Sequence, residues 1–269
     1  MNLYKSSGQY FFFSFDQNGY YDLSANFKYI YQKVNKKIIY IGHSMGGTGM
    51  GIYASTKNKE AQQYIEQAIV VCPIYHIKYP KLSLFSELSP VTLLIVELSK
   101  LANYRVLVPE NSVPYYFVTD FCMGSLINLK FCLKVCDLVF GPVKYDIDRI
   151  PFTFKELKNG NYRSITQYVQ YGRSGEFRKY DHGIVKNLVV YNSTVPPSYN
   201  LSNILIPMTL IYGETDNMAN KEDVIYDYNN FKKDNWELHG IPYNHIDFLF
   251  SRNVVDQFYP LLLNSIKRI

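Results

Sequence analysis

The chain is poor in several things, and each scarcity narrows what it can be. Among 269 residues there are one tryptophan, five histidines and four cysteines. Cys72, Cys122, Cys132 and Cys136 have few histidines near them, and their spacing is not that of a zinc site. Four cysteines neither require nor exclude an oxidising compartment. No long apolar run is present: the longest, about Val91 to Val96, falls far short of the roughly 20 residues that span a bilayer, so no transmembrane segment is expected. The first ten residues, MNLYKSSGQY, lack the charged-then-apolar pattern of a signal peptide, and Phe11-Phe12-Phe13 is too brief to replace it. The 28 basic and 23 acidic residues leave a net charge of +5. Basic residues never run beyond a pair such as Lys36-Lys37, so nucleic-acid binding has no support. There is no internal repeat. In plenty are hydrophobic residues, at 47%, enough for a substantial core. The length fits one domain with a large insertion or two small domains.

The most informative stretch runs from Lys36 to Gly47, KKIIYIGHSMGG. The β-branched run Ile38-Ile39-Tyr40-Ile41 predicts a short buried strand, and it ends in Gly42-His43-Ser44-Met45-Gly46-Gly47. A strand followed at once by G-x-S-x-G is the nucleophile elbow of an α/β-hydrolase. The serine must sit on a strained turn that lifts its Oγ clear of the sheet. A side chain at Gly42 or Gly46 is expected to collide with the neighbouring strand or the oncoming helix. Thr48 to Ala54 reads as that helix, its N-terminus aiming N–H groups at a developing oxyanion.

Ahead of the elbow, residues 8 to 20 are aromatic and end in a turn signal at Asn18-Gly19. Asp22 to Val34 predicts an amphipathic helix with Leu23, Phe27, Ile30, Tyr31 and Val34 on its inner face. After the elbow, Gln67 to Pro73 predicts a second parallel strand, completing a βαβ unit. From about Ile74 to Ile204 the pattern turns helical, as in Pro90–Leu101 and Ile127–Phe140. These faces can pack on one another as a plain helical subdomain and also roof the serine as a cap with an apolar channel. Strand signals resume at Ile206 to Gly213 and again at Trp236 to Gly240, with a helix at Asp223 to Phe231 between them and a closing helix at Val254 to Ile266. The expected division is therefore a hydrolase core at 1–73 and 205–269, interrupted by a cap or lid at 74–204.

A serine nucleophile needs a base, and the base needs a carboxylate to hold its tautomer. The chain supplies Ser44, Asp216 and His245 in the order expected of α/β-hydrolases. Asp216 follows a strand ending in Gly213, on the rim where the serine stands. Asp223 begins a helix, where an acid is ordinary capping, and Asp247, two residues past His245, more simply steadies the loop. His43 lies inside the elbow and points away from Oγ; His239 falls in a strand, and His76 and His182 in the insertion. Met45 offers its backbone N–H as an oxyanion donor.

The segments FSFDQNGYYDLSANFKYI, IYIGHSMGGT, KYDHGIVKNLVVYNSTVPPSYNLSNI, LIYGETDNMA and YNHIDFLF resemble the acid lipases of the gastric and lysosomal type, collinearly over nearly the whole chain. The resemblance implies an α/β-hydrolase fold with a helical cap, cleavage of triacylglycerols or steryl esters at a lipid–water interface, no metal and no cofactor, and a secreted or lysosomal glycoprotein. It puts Ser44, Asp216 and His245 on the family's triad and Cys122 and Cys132 near its cap disulfide, leaving Cys136 free. Asn192-Ser193-Thr194 and Asn200-Leu201-Ser202 are glycosylation sequons. Two departures stand out. Met45 replaces the glutamine usual after the serine, which keeps the N–H. The resemblance also begins inside the family pattern: the first strands, the signal peptide and the His-Gly loop that donates a second oxyanion N–H have no counterpart ahead of Ser44. The fold expectation is thus an incomplete α/β-hydrolase, the product of a truncation or an incomplete gene model, with the elbow strand at an exposed sheet edge. Its activity is expected to be that of a lipase. The competing readings are a carboxylesterase or thioesterase on soluble esters and a catalytically impaired lipid- or partner-binding remnant.

Overall fold

The computed structural model describes residues 13–81, 89–101, 113–142 and 161–267. The aromatic residues before 13 lie outside them, as do parts of the 74–204 insertion. Four apolar runs form one parallel sheet in the order β1 (Ile38–His43), β2 (Ile65–Val71), β3 (Met208–Gly213) and β4 (Trp236–Ile241). β2 and β3 are the most buried strands, as central parallel strands with both faces covered must be. The register sets Gly42 beside Val70, Val71 beside Ile211, and Ile211 beside His239, so the C-terminal ends of all four strands share one rim. Among the described residues β1 has a neighbour on one side only. The fold is an incomplete α/β-hydrolase: a parallel sheet with flanking helices.

The chain enters through a helical turn α1 (Phe15–Gln17), a π-helical turn at Asn18–Leu23 and helix α2 (Ser24–Val34). Asn18-Gly19 is therefore not a turn. Gly19 lies so close to the helix that follows β1 that a Cβ there would stand 2.7 Å from the Ile52 side chain. The inner face expected of α2 is also corrected. Phe27 alone is buried, against the rings of Tyr40 and Tyr53, while Ile30 and Val34 are 40% and 54% exposed. The described sheet has no strand beyond β1 for them to cover.

Helices α3 (Met45–Thr56) and α4 (Asn58–Tyr64) carry β1 into β2. Between β2 and β3 come α5 (Ser89–Leu101), α6 (Val113–Met123), α7 (Leu126–Phe140), α8 (Tyr162–Ser174) and α9 (Ile184–Tyr191). A disulfide between Cys122 and Cys132 joins α6 to α7; Cys136 and Cys72 are buried and unbridged. After β3 follow α10 (Lys221–Phe231), then β4, α11 (Asp247–Phe250) and α12 (Tyr259–Lys267). The closing helix is interrupted: Val254–Phe258 is a π-helical turn that runs into α12.

Two carboxylates, the half-buried Asp16 and the buried Asp227, tie the entry segment and the insertion to the core. Asp16 accepts from Gln167 Nε2 and the Tyr199 hydroxyl through Oδ1, and from the Tyr180 N–H through Oδ2. Asp227 on α10 meets His76 Nδ1 at 2.5 Å, with the imidazole stacked on Phe231. Burial pushes the Asp227 carboxyl up to about 6, against the opposing pull of His76.

Candidate active site

β1 runs straight into Ser44, whose backbone stands at φ 52° and ψ −114°, a conformation that a residue with a Cβ adopts only under constraint. The constraint is visible. The Ser44 N–H continues the sheet ladder by donating to Val71 O at 2.8 Å, and its carbonyl already accepts from Thr48 N as the first turn of α3. A Cβ at Gly42 would meet the Tyr40 ring at 2.5 Å and the Gly46 backbone at 2.9 Å. At Gly46 it would meet only the Tyr40 hydroxyl, at 3.2 Å. The tight helix–strand contact belongs instead to Gly47, where a Cβ would come within 2.9 Å of Pro73.

The structure brings Ser44, His245 and Asp216 together. His245 Nε2 lies 2.8 Å from Ser44 Oγ, and its Nδ1 lies 2.7 Å from Asp216 Oδ2. The other Asp216 oxygen accepts from the Met218 and Ala219 N–H groups at 2.7 and 2.9 Å. Burial alone would push this carboxyl up. The charge and hydrogen bond of His245, the Ala219 N–H and the Cys72 thiol outweigh it and hold the group below its ordinary value. Asp216 is therefore an anion at neutral pH, although it is fully buried. The Met45 N–H belongs to the open first turn of α3, next to Ser44.

The loop bearing His245 is built around Asn244. Its Oδ1 accepts from the Ile246 and Asp247 N–H groups, and its own N–H donates to Asp247 Oδ2 at 3.0 Å. Asp247 thus serves the loop and not the imidazole. The C-terminal end of α7, about a hundred residues away in sequence, clamps the same loop. Phe140 O accepts from the His245 N–H and, at 3.4 Å, from the Asn217 N–H. Gly141 O accepts from Asn244 Nδ2 at 2.9 Å, and the Phe140 ring lies parallel to the imidazole. One helix end holds both the base loop and the acid loop.

Four contributors, His43, Cys72, Phe140 and Gly141, escaped the sequence reading. His43 does face away from Oγ, but its Nε2–H donates to His245 O at 2.8 Å. Burial first, and then the nearby His245, lower its pKa to about 4, so it is neutral at ordinary pH. Cys72, the residue just past β2, has φ 49° and is fully buried beside Asp216. Burial and that carboxylate keep its thiol protonated. Its place on the shared rim was the available signal; for Phe140 and Gly141 there was none. The remaining histidines have other partners: His76 has Asp227, His239 has Glu237 at 3.1 Å, and His182 packs between Tyr180 and Tyr191. Ligand atoms of His43, Cys72 and His245 lie within 4.8 Å of one another. Both ring nitrogens of His245 are already bonded, so a metal there would have to dismantle the chain of hydrogen bonds. Asn192 and Asn200 are exposed. Among the described residues no helix is long and apolar enough to cross a membrane.

No family model matches the chain. Curated relatives do. Human lipase member J is 28% identical over 267 residues, 97% of this chain and 72% of that protein. Mouse gastric triacylglycerol lipase is 26% identical over 265 residues, 96% of this chain and 66% of that protein. Triacylglycerol lipase 1 of Arabidopsis thaliana is 29% identical over 248 residues, covering 89% and 60% of the two. The chain thus spans roughly two thirds of the length of these relatives. Among solved structures, a hydrolase from Oleispira antarctica superposes with a TM-score of 0.53 at 13% identity, covering 98% of this chain and 76% of that one. A thermophilic esterase from Thermogutta terrifontis gives 0.51 at 10% identity, covering 95% and 73%. At such identities the structures speak for the fold alone.

Proposed function

From the premise that the chain is a relative of the acid lipases of the gastric type, we propose that it is a serine ester hydrolase acting on neutral lipid esters, triacylglycerols or steryl esters. One observation carries the reading: the unbroken hydrogen-bond chain from Ser44 Oγ through both nitrogens of His245 to a buried, ionised Asp216. In the proposed reaction Ser44 Oγ attacks the ester carbonyl carbon while His245 Nε2 takes its proton. Asp216 steadies the imidazolium without receiving that proton. The carbonyl oxygen becomes the oxyanion of a tetrahedral intermediate, facing the Met45 N–H and the N-terminus of α3. The intermediate collapses to an acyl-serine as His245 protonates the leaving alcohol. Water, deprotonated by the same nitrogen, then releases the acid and restores Ser44. No metal or cofactor enters this scheme.

In this reading residues 1–73 and 205–269 form the catalytic core and 74–204 the cap, whose α7 end holds the acid and base loops. Secretion or a lysosomal address, with glycans on Asn192 and Asn200, belongs to the same proposal; the disulfide at Cys122 and Cys132 fits an oxidising route. Reaction with a fluorophosphonate tests it. The unchanged chain should label and Ser44→Ala should not; equal labelling of the two would refute a nucleophilic Ser44. A second reading, a catalytically impaired remnant, draws on the single oxyanion donor assigned to the site. Loss of one such donor lowers turnover by about 10²–10³, so slow but Ser44-dependent labelling would favour it.

A further inference from the structure

Helix α9 is built inside out. Its one buried side chain is the polar Asn187, whose Oδ1 accepts from the His182 N–H and whose Nδ2 donates to Asp181 Oδ1 and Thr194 O. Its aliphatic side chains face solvent: Ile184 is 66% exposed, Val185 80%, Leu188 48% and Val189 82%. At about 100° per residue these four fall within one arc of about 140°; Asn187 lies outside it, as does Val190, which is 50% exposed. A surface helix of a globular protein has the reverse arrangement. The charges beside the arc are positive. Lys186 is exposed on the helix itself, and Lys179 lies over the Tyr191 ring at its far end. The nearby acids are engaged in hydrogen bonds: Asp181 takes them from the Gly183 N–H, Asn187 Nδ2 and Arg178 Nη2, and Asp16 from Gln167 Nε2, the Tyr199 hydroxyl and the Tyr180 N–H. His182 stands below the ordinary histidine value, through burial first and then through Lys186 and Arg163, against the opposing pull of Asp16 and Asp181.

We propose that α9 is a lipid-docking element, which lays the Ile184, Val185, Leu188 and Val189 face into an anionic phospholipid surface with Lys179 and Lys186 at the headgroups. Aliphatic residues in one arc, bordered by lysines and a tyrosine, are what an interfacial helix requires. The choice of lipid as occupant rests on the proposed hydrolase, and it deepens that reading by naming where the surface is met. Docking itself needs no catalysis, so the two can fail separately.

The test uses the full chain carrying Ser44→Ala, made without glycosylation because a glycan on Asn192 would stand at the end of α9. Co-sedimentation is measured with phosphatidylcholine vesicles with and without phosphatidylserine. Binding is expected to be stronger with phosphatidylserine. It should fall by about tenfold or more on adding Val185→Glu and Val189→Glu, and by about fivefold on anionic vesicles alone on adding Lys186→Glu. Circular dichroism and thermal unfolding check that these exposed substitutions leave the fold intact. Absence of binding, or equal binding by the folded double-glutamate protein, overturns the proposal. So does a dimer in analytical ultracentrifugation that the same two substitutions dissolve, because the face would then belong to a second copy. Fluorophosphonate labelling of the Ser44 protein reports on the hydrolase reading independently.

Discussion

A single methyl group added at Gly141 should damage the site from outside it. Gly141 has φ +98°, and a Cβ there would overlap the backbone oxygen of Thr215, the residue before Asp216. The carbonyl of Gly141 itself accepts from Asn244 Nδ2, next to His245. Gly141→Ala therefore carries two penalties. Holding an alanine in this glycine region costs about 1–3 kcal/mol. Beyond that, either the acid loop or the end of α7 must move, and displacements of about 1 Å at a catalytic group cost about 10²-fold in rate. Gly183 supplies the control. It has a similar φ of +87°, but nothing lies within 4 Å of where its Cβ would be. Gly183→Ala should lose the backbone share, about 1–3 kcal/mol in urea unfolding, and keep its hydrolysis of a short nitrophenyl ester. Gly141→Ala should lose more stability and about 10²-fold in kcat/KM. Equal activity of the two variants would refute the claim that the end of α7 sets the position of Asp216 and His245.

Three further outcomes are expected. Cys72→Ala removes one of the groups that hold the Asp216 carboxyl down, so the acid limb of the kcat/KM profile should shift to higher pH; Cys72→Ser should restore it, and an unmoved limb would sink the assignment. His43→Phe deletes the donor to His245 O, a part-buried hydrogen bond whose loss costs about 1 kcal/mol, and kcat should fall several-fold while labelling still requires Ser44. Asp227 has its carboxyl raised to about 6 by burial. The folded chain therefore holds that proton more tightly than the unfolded one, and this group's contribution falls as pH rises towards and through about 6. The melting temperature of Asp227→Asn relative to the unchanged chain should accordingly rise across that interval; a difference that does not change with pH would contradict it.

Local chemistry made the elbow and the order Ser44, Asp216, His245 readable, because a strand, a glycine turn and a helix leave their marks within a dozen residues. The four strands were readable for the same reason: Ile65–Val71 and Met208–Gly213 carry the short apolar stretches Ala68–Val71 and Leu210–Tyr212. What escaped depended on distant neighbours. The spacing of Ile30 and Val34 is that of an inner helix face, yet burial needs an opposing surface, and periodicity says nothing of whether one exists. Gly46 and Gly47 look alike in sequence, and only the approach of Pro73 shows which of them packs against the chain after β2. The hold of Phe140 O on His245 joins residues far apart in the chain, with an ordinary peptide carbonyl as acceptor, and no side-chain pattern records such a bond.

The strand that presents Ser44 is flanked on one side only in the described sheet, and Ile39 and Ile41 along it are 37% and 47% exposed. Peptide amides from Ile38 to His43 should consequently exchange with deuterated solvent sooner than those of β2 and β3. Because the hydroxyl and the imidazole stand on different elements, fraying of this margin separates them while the interior is still intact. Gentle warming should then silence the enzyme several degrees before its circular dichroism changes.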